Sequence, residues 1–592
     1  MNDPITEELF RNAIVAIGDE MALTIYRAAY SGVLKNIMDY STAVCDARGR
    51  LVAQGLSLPG HLCSIPSALQ SCLRHFGEDI AEGDILTMND PYDGGMHLPD
   101  IFVFRPVFAG GRPFAWAATI CHHTDVGGRV PGSNASDSTE IFAEGLRLPP
   151  LKLYERGVAN DTLMRIIDRN VRLPGRVMGD LRAQLAACDI AARGMTELLA
   201  RHGAPGVVAL MEATMDHSER LARHCLAELA DGEAEFVDWI DDDQIDVGVP
   251  IKLMCKVTKT GERMLFDWTG SSPQVKGALN NTWSYTAAAS FTAAKSVMSI
   301  NMANNDGVFR CIEVIAPPGT VTNGVMPAAC AARGLTGFRA ADCAFGALAM
   351  LYPQLVFAAS EGGNTGITIG GNERAADGVT RRPFIYVDFM SGAWGGRPWA
   401  DGLDGNTSMF ANMASFSIEV IEAENPLEVL DYTMVPDTAG PGRFRGGVAL
   451  RRTWRMLAEE GLLQVRSDRH THRPYGLQGG GPGAASQNSL LGEGGLAAKL
   501  TMTLRRGQVF RHDLPGAGGW GSPLLRSIAA VTKDLRDGLV TIAGAARDYG
   551  VVAAGDPPVV DTKATAALRA RLRASRPPPP MVAWTPLDEA TS

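Results

Sequence analysis

The chain has 592 residues, 46% hydrophobic and 20% charged, with 65 acidic against 55 basic side chains and a formal net charge of -10. That length allows roughly three or four domains of about 150 residues, or one large fold with extensions, with enough chain to bury several cores unaided. The acidic balance and short basic clusters exclude a nucleic-acid binder. No apolar run approaches the ~18 residues of a membrane span, and the polar start from Met1 to Phe10 is no signal peptide.

From the N-terminus, Ile5, Leu9, Ile14, Ile17, Met21 and Ile25 recur mostly at three- and four-residue steps. This predicts an amphipathic helix over 4–30, with Asp3 as cap and Pro4 in the first turn. Alternating segments at 41–46 and 50–54 flank Asp46-Ala47-Arg48-Gly49, a hairpin signal. A helix follows over 64–76, then buried strands over 84–88, 101–108 and 115–120. Residues 161–227 read as mostly helical, with breaks near Pro174 and Pro205.

After Asp231-Gly232 strand patterns dominate, at 251–258, 263–268 and 311–315, with helices over 283–300 and 340–352. Residues 416–512 read as strands joined by Gly/Pro turns, as in a β-sandwich or barrel. A helix is predicted over 531–549. The Ala/Arg-rich end, with Pro577 to Pro580, reads as a mobile tail or docking arm. The expected fold class is α+β: a large mixed, multi-layer fold. Its parts are an N-terminal helical and stranded part (1–230) carrying the metal-site motifs, a central α+β part (231–415), a β-rich C-terminal part (416–552) and a tail (553–592).

Ten cysteines, all before position 344, form no CxxC pair. Their scatter predicts reduced, mostly buried thiols in a cytoplasmic protein.

The densest chemistry lies between residues 39 and 125. Four of the eleven histidines, His61, His97, His122 and His123, fall there on loops or strand ends, with Asp39, Asp90, Asp93, Asp100 and Asp125. The string Asn89 to Asp100 follows a predicted strand and contains His97, Pro99 and Asp100; Cys121-His122-His123-Thr124-Asp125 follows another. If those strands are neighbours, His97, Asp100 and His122 meet, with Asp39 available as a fourth ligand for a divalent metal. Adjacent strand residues point to opposite faces, so His122 is the better ligand, and His123 a supporting or substrate group. The same alternation turns Cys121 away. A capped turn built from ordinary Asp and Gly residues is the other reading of these strings.

Other patterns carry less. No Walker P-loop or GxSxG elbow is present, and Gly516 to Gly521 matches GxGxxG in letters without a surrounding βαβ unit. Glu140 and Glu144, within Thr139 to Gly145, suit acid/base work or a solvated helical turn equally.

Several motifs together resemble the hydantoinase B/oxoprolinase family. They are Met38-Asp39-Tyr40-Ser41, His61-Leu62-Cys63-Ser64, Asn89 to Asp100, His122 to Gly128, Thr139 to Gly145, Gly179 to Gln184, Asp267 to Ser272, Asn304-Asn305 and Gly518 to Gly521. The likeness runs from about residue 3 to about 552. The family often has Gly where Cys63 stands and Phe where Tyr40 stands; neither departure touches a ligand position.

The resemblance implies a metal site, with zinc or manganese held by Asp39, His97, Asp100 and His122. It implies an actin-like ATPase A-type partner subunit that binds ATP and magnesium, in a hetero-oligomer such as a dimer of heterodimers. It implies ATP-dependent opening of a small cyclic amide, with His123, Asp125 and Glu140 as candidate proton carriers. The alternatives are a subunit of a ketone carboxylase that consumes bicarbonate, and a metal-stabilised scaffold that docks the ATPase.

Overall fold

The computed structural model describes residues 3–56, 58–374, 377–379, 381–576 and 580–584. Helix α1 (Pro4–Ala28) starts as the sequence predicts: the Asp3 carboxylate accepts from Thr6 N at 3.2 Å, and Pro4 sits in the first turn. Its apolar stripe, Phe10, Ile14, Ile17, Met21 and Ile25, is buried.

Next come β1 (Tyr40–Asp46), β2 (Leu51–Gln54), α2 (Ser64–Phe76), β3 (Ile85–Met88), β4 (Asp100–Ala109), β5 (Arg112–His122), β6 (Leu151–Glu155) and β7 (Val158–Ala159). They are followed by α3 (Asp161–Asn170) and α4 (Pro174–Glu228). The seven strands form one antiparallel sheet in the order β2-β1-β5-β4-β3-β6-β7. Apolar residues of α1 and α4 pack with Val44, Val103 and Ala117 on one face, while Ala43, Phe102, Ala118 and Ile120 join the central core on the other. Burial on both faces is why β4 and β5 read as nearly continuous apolar runs rather than alternating ones. The break expected near Pro174 is the gap between α3 and α4 at 171–173, and Pro174 itself is the first-turn residue of α4. The interruption comes at Gly203, with φ 68°, followed by Pro205.

The central part contains β8 (Gly232–Ile240), β9 (Ile251–Thr260), β10 (Arg263–Asp267), α5 (Trp283–Ser296), α6 (Asp306–Phe309), β11 (Ile312–Ile315) and α7 (Arg333–Leu351). The strands form a sheet in the order β11-β10-β9-β8. Helix α7 begins at Arg333, earlier than the predicted 340, and is buried from Arg333 to Ala349. A helix buried all round gives no amphipathic period to mark its start.

Strands β12 (Thr365–Arg374) and β13 (Arg381–Met390) pair with Glu460–Arg466 and Lys499–Arg505 in a four-stranded sheet. A second, five-stranded sheet runs through Leu427–Met434, Leu450–Met456 and Val509–Asp513, and one apolar core, including Ile367, Phe384, Trp454, Leu504 and Phe510, joins both. This is a sandwich, with one short helix, Ile418–Glu424, where only strands were expected. The boundary expected at 415/416 falls between strands of the four-stranded sheet, and the chain on the two sides of 230/231 shares one core. Strands and apolar faces need partners, and local pattern does not say which.

The helix predicted over 531–549 is two, Ile528–Arg536 and Ile542–Tyr549, separated by Gly538 with φ 72°. Parts of the expected mobile tail pack back onto the fold. Thr562–Ser575 is a helix whose Arg569 donates to the carbonyls of Tyr549 and Arg526. Val582–Ala583 pairs with Gly476–Leu477, and Trp584 lies against Phe236 and Tyr475. Residues 577–579 and 585–592 of that stretch lie outside the described residues. All ten cysteines are buried and free. Among the described residues, no helix is long and apolar enough to cross a membrane.

Candidate active site

Three adjacent strand ends build the site. After α1, a single π-helical turn (Val33–Ile37) and Met38, in the left-handed region at φ 64°, redirect the chain into Asp39 and β1. Such turns are costly for a non-glycine residue and gather at functional positions. Tyr40 pairs with Cys121, and the His122 N–H donates to the Asp39 carbonyl at 3.1 Å, so Asp39 stands beside His122. On the other side of β5, His122 pairs directly with Asp100, the first residue of β4. Asp39, His122 and Asp100 therefore form one cross-strand row, since paired residues share a face.

His97 reaches the same place from the loop before β4. Asn89 ties that loop together: its amide donates to the carbonyls of Leu98 and Leu146 at 2.7 and 2.9 Å, and its oxygen accepts from Leu148 N at 2.6 Å. Asp90 caps a short turn by accepting from Tyr92 N at 3.0 Å. Gly94 has φ 100°, and a Cβ there would lie 2.7 Å from the Ser67 backbone. The turn closes with Asp100 N donating to His97 O at 3.1 Å, which brings His97 Nδ1 to 2.9 Å from Asp100 Oδ2.

Asp39, His97 and His122 line one cavity with His61, Tyr285, Arg333, Asn364, Phe389 and Arg466, and Asp100 lies just behind that wall, against His97 and Arg333. The cavity encloses about 20 Å³, room for one or two water molecules, so a larger substrate enters only as side chains move. His61 Nε2 is 3.8 Å from Asp39 Oδ1, and its Nδ1 is 2.9 Å from Ser41 Oγ. Arg333, at the start of α7, donates to Asp100 Oδ2 at 2.5 Å and lies 4.0 Å from the Tyr285 ring centroid. Arg466, at the end of its strand, lies 5.0 Å from the Phe389 ring centroid. Phe389 in turn meets His122 edge-on at 5.1 Å.

Burial governs the charges. It pushes His61 and His97 down to about 4, and His122 well below its ordinary value. These rings are therefore neutral near pH 7, the state that binds metals. Burial and then the Asp100 charge push Asp39 up to about 7. Burial also opposes ionisation of Asp100, but the contacts from His97 and Arg333 outweigh it and hold this carboxyl well below the usual range.

Two imidazoles and two carboxylates are a suitable nitrogen/oxygen donor set for a divalent ion. Asp100 Oδ1 and His122 Nδ1 are buried without a hydrogen-bond partner, as atoms meant for a further ligand would be. The chemistry of the donors and these orphaned atoms fit a metal. The spacing is looser: among the described residues, no group of three or more His, Cys, Asp or Glu side chains is close enough set to hold one. Arg333 sits against Asp100 instead, so an ion would enter as that contact opens.

The three expected proton carriers lie outside this cavity lining. His123 points to the opposite face, with Nε2 3.0 Å from Gln184 Oε1 on α4. Asp125 is buried and used for structure: Oδ1 accepts from Gly132 N at 3.1 Å and Arg172 Nη1 at 2.8 Å, and Oδ2 accepts from Gly127 N and Arg172 N at 3.2 and 2.8 Å. Glu140 is exposed at the start of the turn Ile141–Ala143. Glu144 is the buried member of that pair, and its Oε1 accepts from the N–H groups of Cys330 and Ala331, both at 2.8 Å. Cys121 packs in the core beneath α1 and α4. The site residues not expected from sequence are Arg333, Arg466 and Tyr285. His61 belonged to the histidine cluster but had no assigned role. Only its place in that cluster could have flagged it; the two arginines carry no local signal.

The chain thus has a layered α+β architecture with a buried His/Asp/Arg cavity at a sheet end. The hydantoinase B/oxoprolinase family profile matches residues 3–523. The chain belongs to the hydantoinase B/oxoprolinase family. Caprolactamase subunit beta of Pseudomonas jessenii is 31% identical over 592 residues, covering 96% of this chain and 99% of that one. The crystal structure of the ATP-dependent caprolactamase from Pseudomonas jessenii matches with a TM-score of 0.88 at 29% identity, covering 96% of this chain and 100% of that chain. A nucleotide-free acetone carboxylase structure has a TM-score of 0.87 and covers 97% of this chain and 83% of that one. At 19% identity it shows a shared fold alone.

Proposed function

We propose that this chain is the metal-containing B-type subunit of an ATP-dependent cyclic amide hydrolase of the hydantoinase, oxoprolinase or lactamase type. The observation that carries this reading is the buried cross-strand row Asp39–His122–Asp100, completed by His97, with Asp39, His97 and His122 lining one cavity. Full-length similarity to a subunit of an ATP-dependent caprolactamase supports the amide as substrate class, ATP dependence and a partner subunit; ATP and magnesium are assigned to that partner. The partner is an actin-like ATPase, and the assembly a hetero-oligomer. Asp39, His97, Asp100 and His122 hold a divalent ion, zinc or manganese, which when bound polarises a carbonyl or makes water a better nucleophile.

The chain's own residues do the rest. Hydrolysis of a C–N bond requires a water to lose a proton and the ring nitrogen to gain one. His61 is the group placed to carry it: neutral, in the cavity wall and oriented by Ser41. Tyr285, Phe338, Phe389 and Phe410 line the cavity and keep bulk water out. The ketone carboxylase reading rests on fold similarity alone and is the weaker one.

The test is to co-purify the chain with its ATPase partner and assay ATP hydrolysis against hydantoins, 5-oxoproline, lactams and ketones, with and without bicarbonate. ATP-coupled opening of a cyclic amide without bicarbonate is the expected result. Bicarbonate-dependent consumption of a ketone with no amide opened would overturn it.

A further inference from the structure

Arg466 differs from every other buried arginine of the described chain. Arg333, Arg339, Arg445, Arg452, Arg469 and Arg526 each have a carboxylate oxygen within 4.0 Å. Arg466 is equally buried and has none among the described residues. Its Nη1 donates to two neutral oxygens instead, Asn134 Oδ1 at 3.1 Å and Ala331 O at 2.9 Å, and its Nε meets no acceptor. Asp39 and Asp100 act on this guanidinium only at longer range, so a buried cation with no carboxylate in contact is left with room for an anion that arrives from outside.

The sheet makes room for it. Arg466 pairs with Gly366 on β12, and Gly366 pairs on its other side with Phe389 on β13. A Cβ at Gly366 would lie 2.1 Å from Arg466 Nε and 2.8 Å from its Cγ. Without that atom the guanidinium lies across the glycine toward Phe389 and into the wall of the cavity that holds Asp39, His97 and His122. Arg333 also has an Nε without an acceptor, but its charge is met by Asp100, so Arg466 is the lining arginine that no carboxylate contacts. A planar guanidinium presents paired N–H groups at the spacing of carboxylate and phosphate oxygens.

We propose that Arg466 is the oxyanion receptor of the cavity. It binds the negatively charged group of the incoming reactant, either the phosphoryl group acquired from ATP on the partner or the substrate's own carboxylate. The proposal rests on reading this cavity as the amide-hydrolysing site, and the test separates the two.

Inorganic phosphate and acetate are titrated separately, by calorimetry, into the purified full chain after dialysis against a chelator, so that no metal supplies the anion contact. The wild type binds at least one of the two; Arg466→Gln weakens that binding by about tenfold or more, and Arg466→Lys by less. Gly366→Ala, which keeps the charge but displaces it, weakens binding as well. Preference for phosphate assigns the phosphoryl group, and preference for acetate the substrate carboxylate. Should Arg466→Gln fail to fold, the Lys and Gly366→Ala variants decide the matter. Binding unchanged in the variants, or no anion binding by the wild type, overturns the proposal. With the partner subunit present, cyclic amides opened with an unchanged KM in Arg466→Gln also overturn the receptor while leaving the function standing. Anion binding lost in the variants, with no cyclic amide opened by the wild type, upholds the receptor and removes the amidase.

Discussion

Asp100 and His122 face each other at the end of the β4–β5 ladder, and Asp39 flanks His122 on the opposite side of the same strand. The spacing of these three groups is set by backbone register, which a rigid, doubly covered sheet holds better than a loop can. His97 and Arg333 are then fitted around Asp100 from a turn and a helix start.

With Asp100 in the proposed ligand set, one residue answers for both metal and stability. Asp100→Asn leaves the buried Arg333 guanidinium without its carboxylate, at a cost of about 3–5 kcal/mol. The same change lowers metal content by about tenfold or more. Mass-spectrometric metal analysis and urea denaturation measure the two effects. Stoichiometric metal with full ATP-coupled turnover in the variant would remove Asp100 from the ligand set.

His61 and Glu140 separate two views of the proton carrier. His61→Gln lowers kcat by about a hundredfold, because no other neutral imidazole in the cavity is close to Asp39 and free of the proposed ligand set. Glu140 is exposed and outside the cavity lining, so Glu140→Gln leaves turnover within about twofold, as surface changes usually do. Steady-state assays of the reconstituted enzyme measure both. Full turnover in His61→Gln would return attention to groups outside the cavity.

Glu144 gives the fold a pH dependence. Burial raises its carboxyl from 4.5 to about 8, although two backbone N–H groups favour the anion. The folded state therefore holds a proton that the unfolded chain has released. The stability Glu144 contributes is complete below pH 4.5 and is lost as pH rises through about 8. Glu144→Gln carries no such proton, so its urea midpoint falls less steeply across this window. Identical slopes for variant and wild type would contradict the assignment.

Asp125 tests the difference between position in a motif and role in a structure. Its hydrogen bonds pin Arg172 and the turn at Gly127 to Gly132. Asp125→Asn is expected to destabilise by about 2–3 kcal/mol, with KM unchanged in the fraction that remains folded. A stable protein with a large rise in KM would show that Asp125 meets the substrate after all.

Much of the fold was legible from local pattern. The α1 cap, the hairpin at Asp46 to Gly49 and the strand ending at Met88 appear where spacing and turn residues place them, and the strand expected over 115–120 is there but runs longer, from Arg112 to His122. Alternation also separates His122 from Cys121 and His123, which occupy the opposite face. The misplaced features were those without a local period. Helix α7, buried all round, concealed its own start, and the strands after 360 joined a sheet whose other members lie beyond 459.

By itself the sequence determined the cluster of Asp39, His97, Asp100 and His122 on neighbouring turns and strand ends, and the family to which the chain belongs. Tertiary structure alone decided what surrounds them. It brought Arg333 to Asp100 across 233 residues, laid Arg466 across Gly366, and removed Asp125 and Glu140 from the cavity. The physical reason is that side-chain period and turn chemistry act over a few residues. The pairing of buried charges depends instead on which distant segments share a water-excluded space, and no local pattern encodes that.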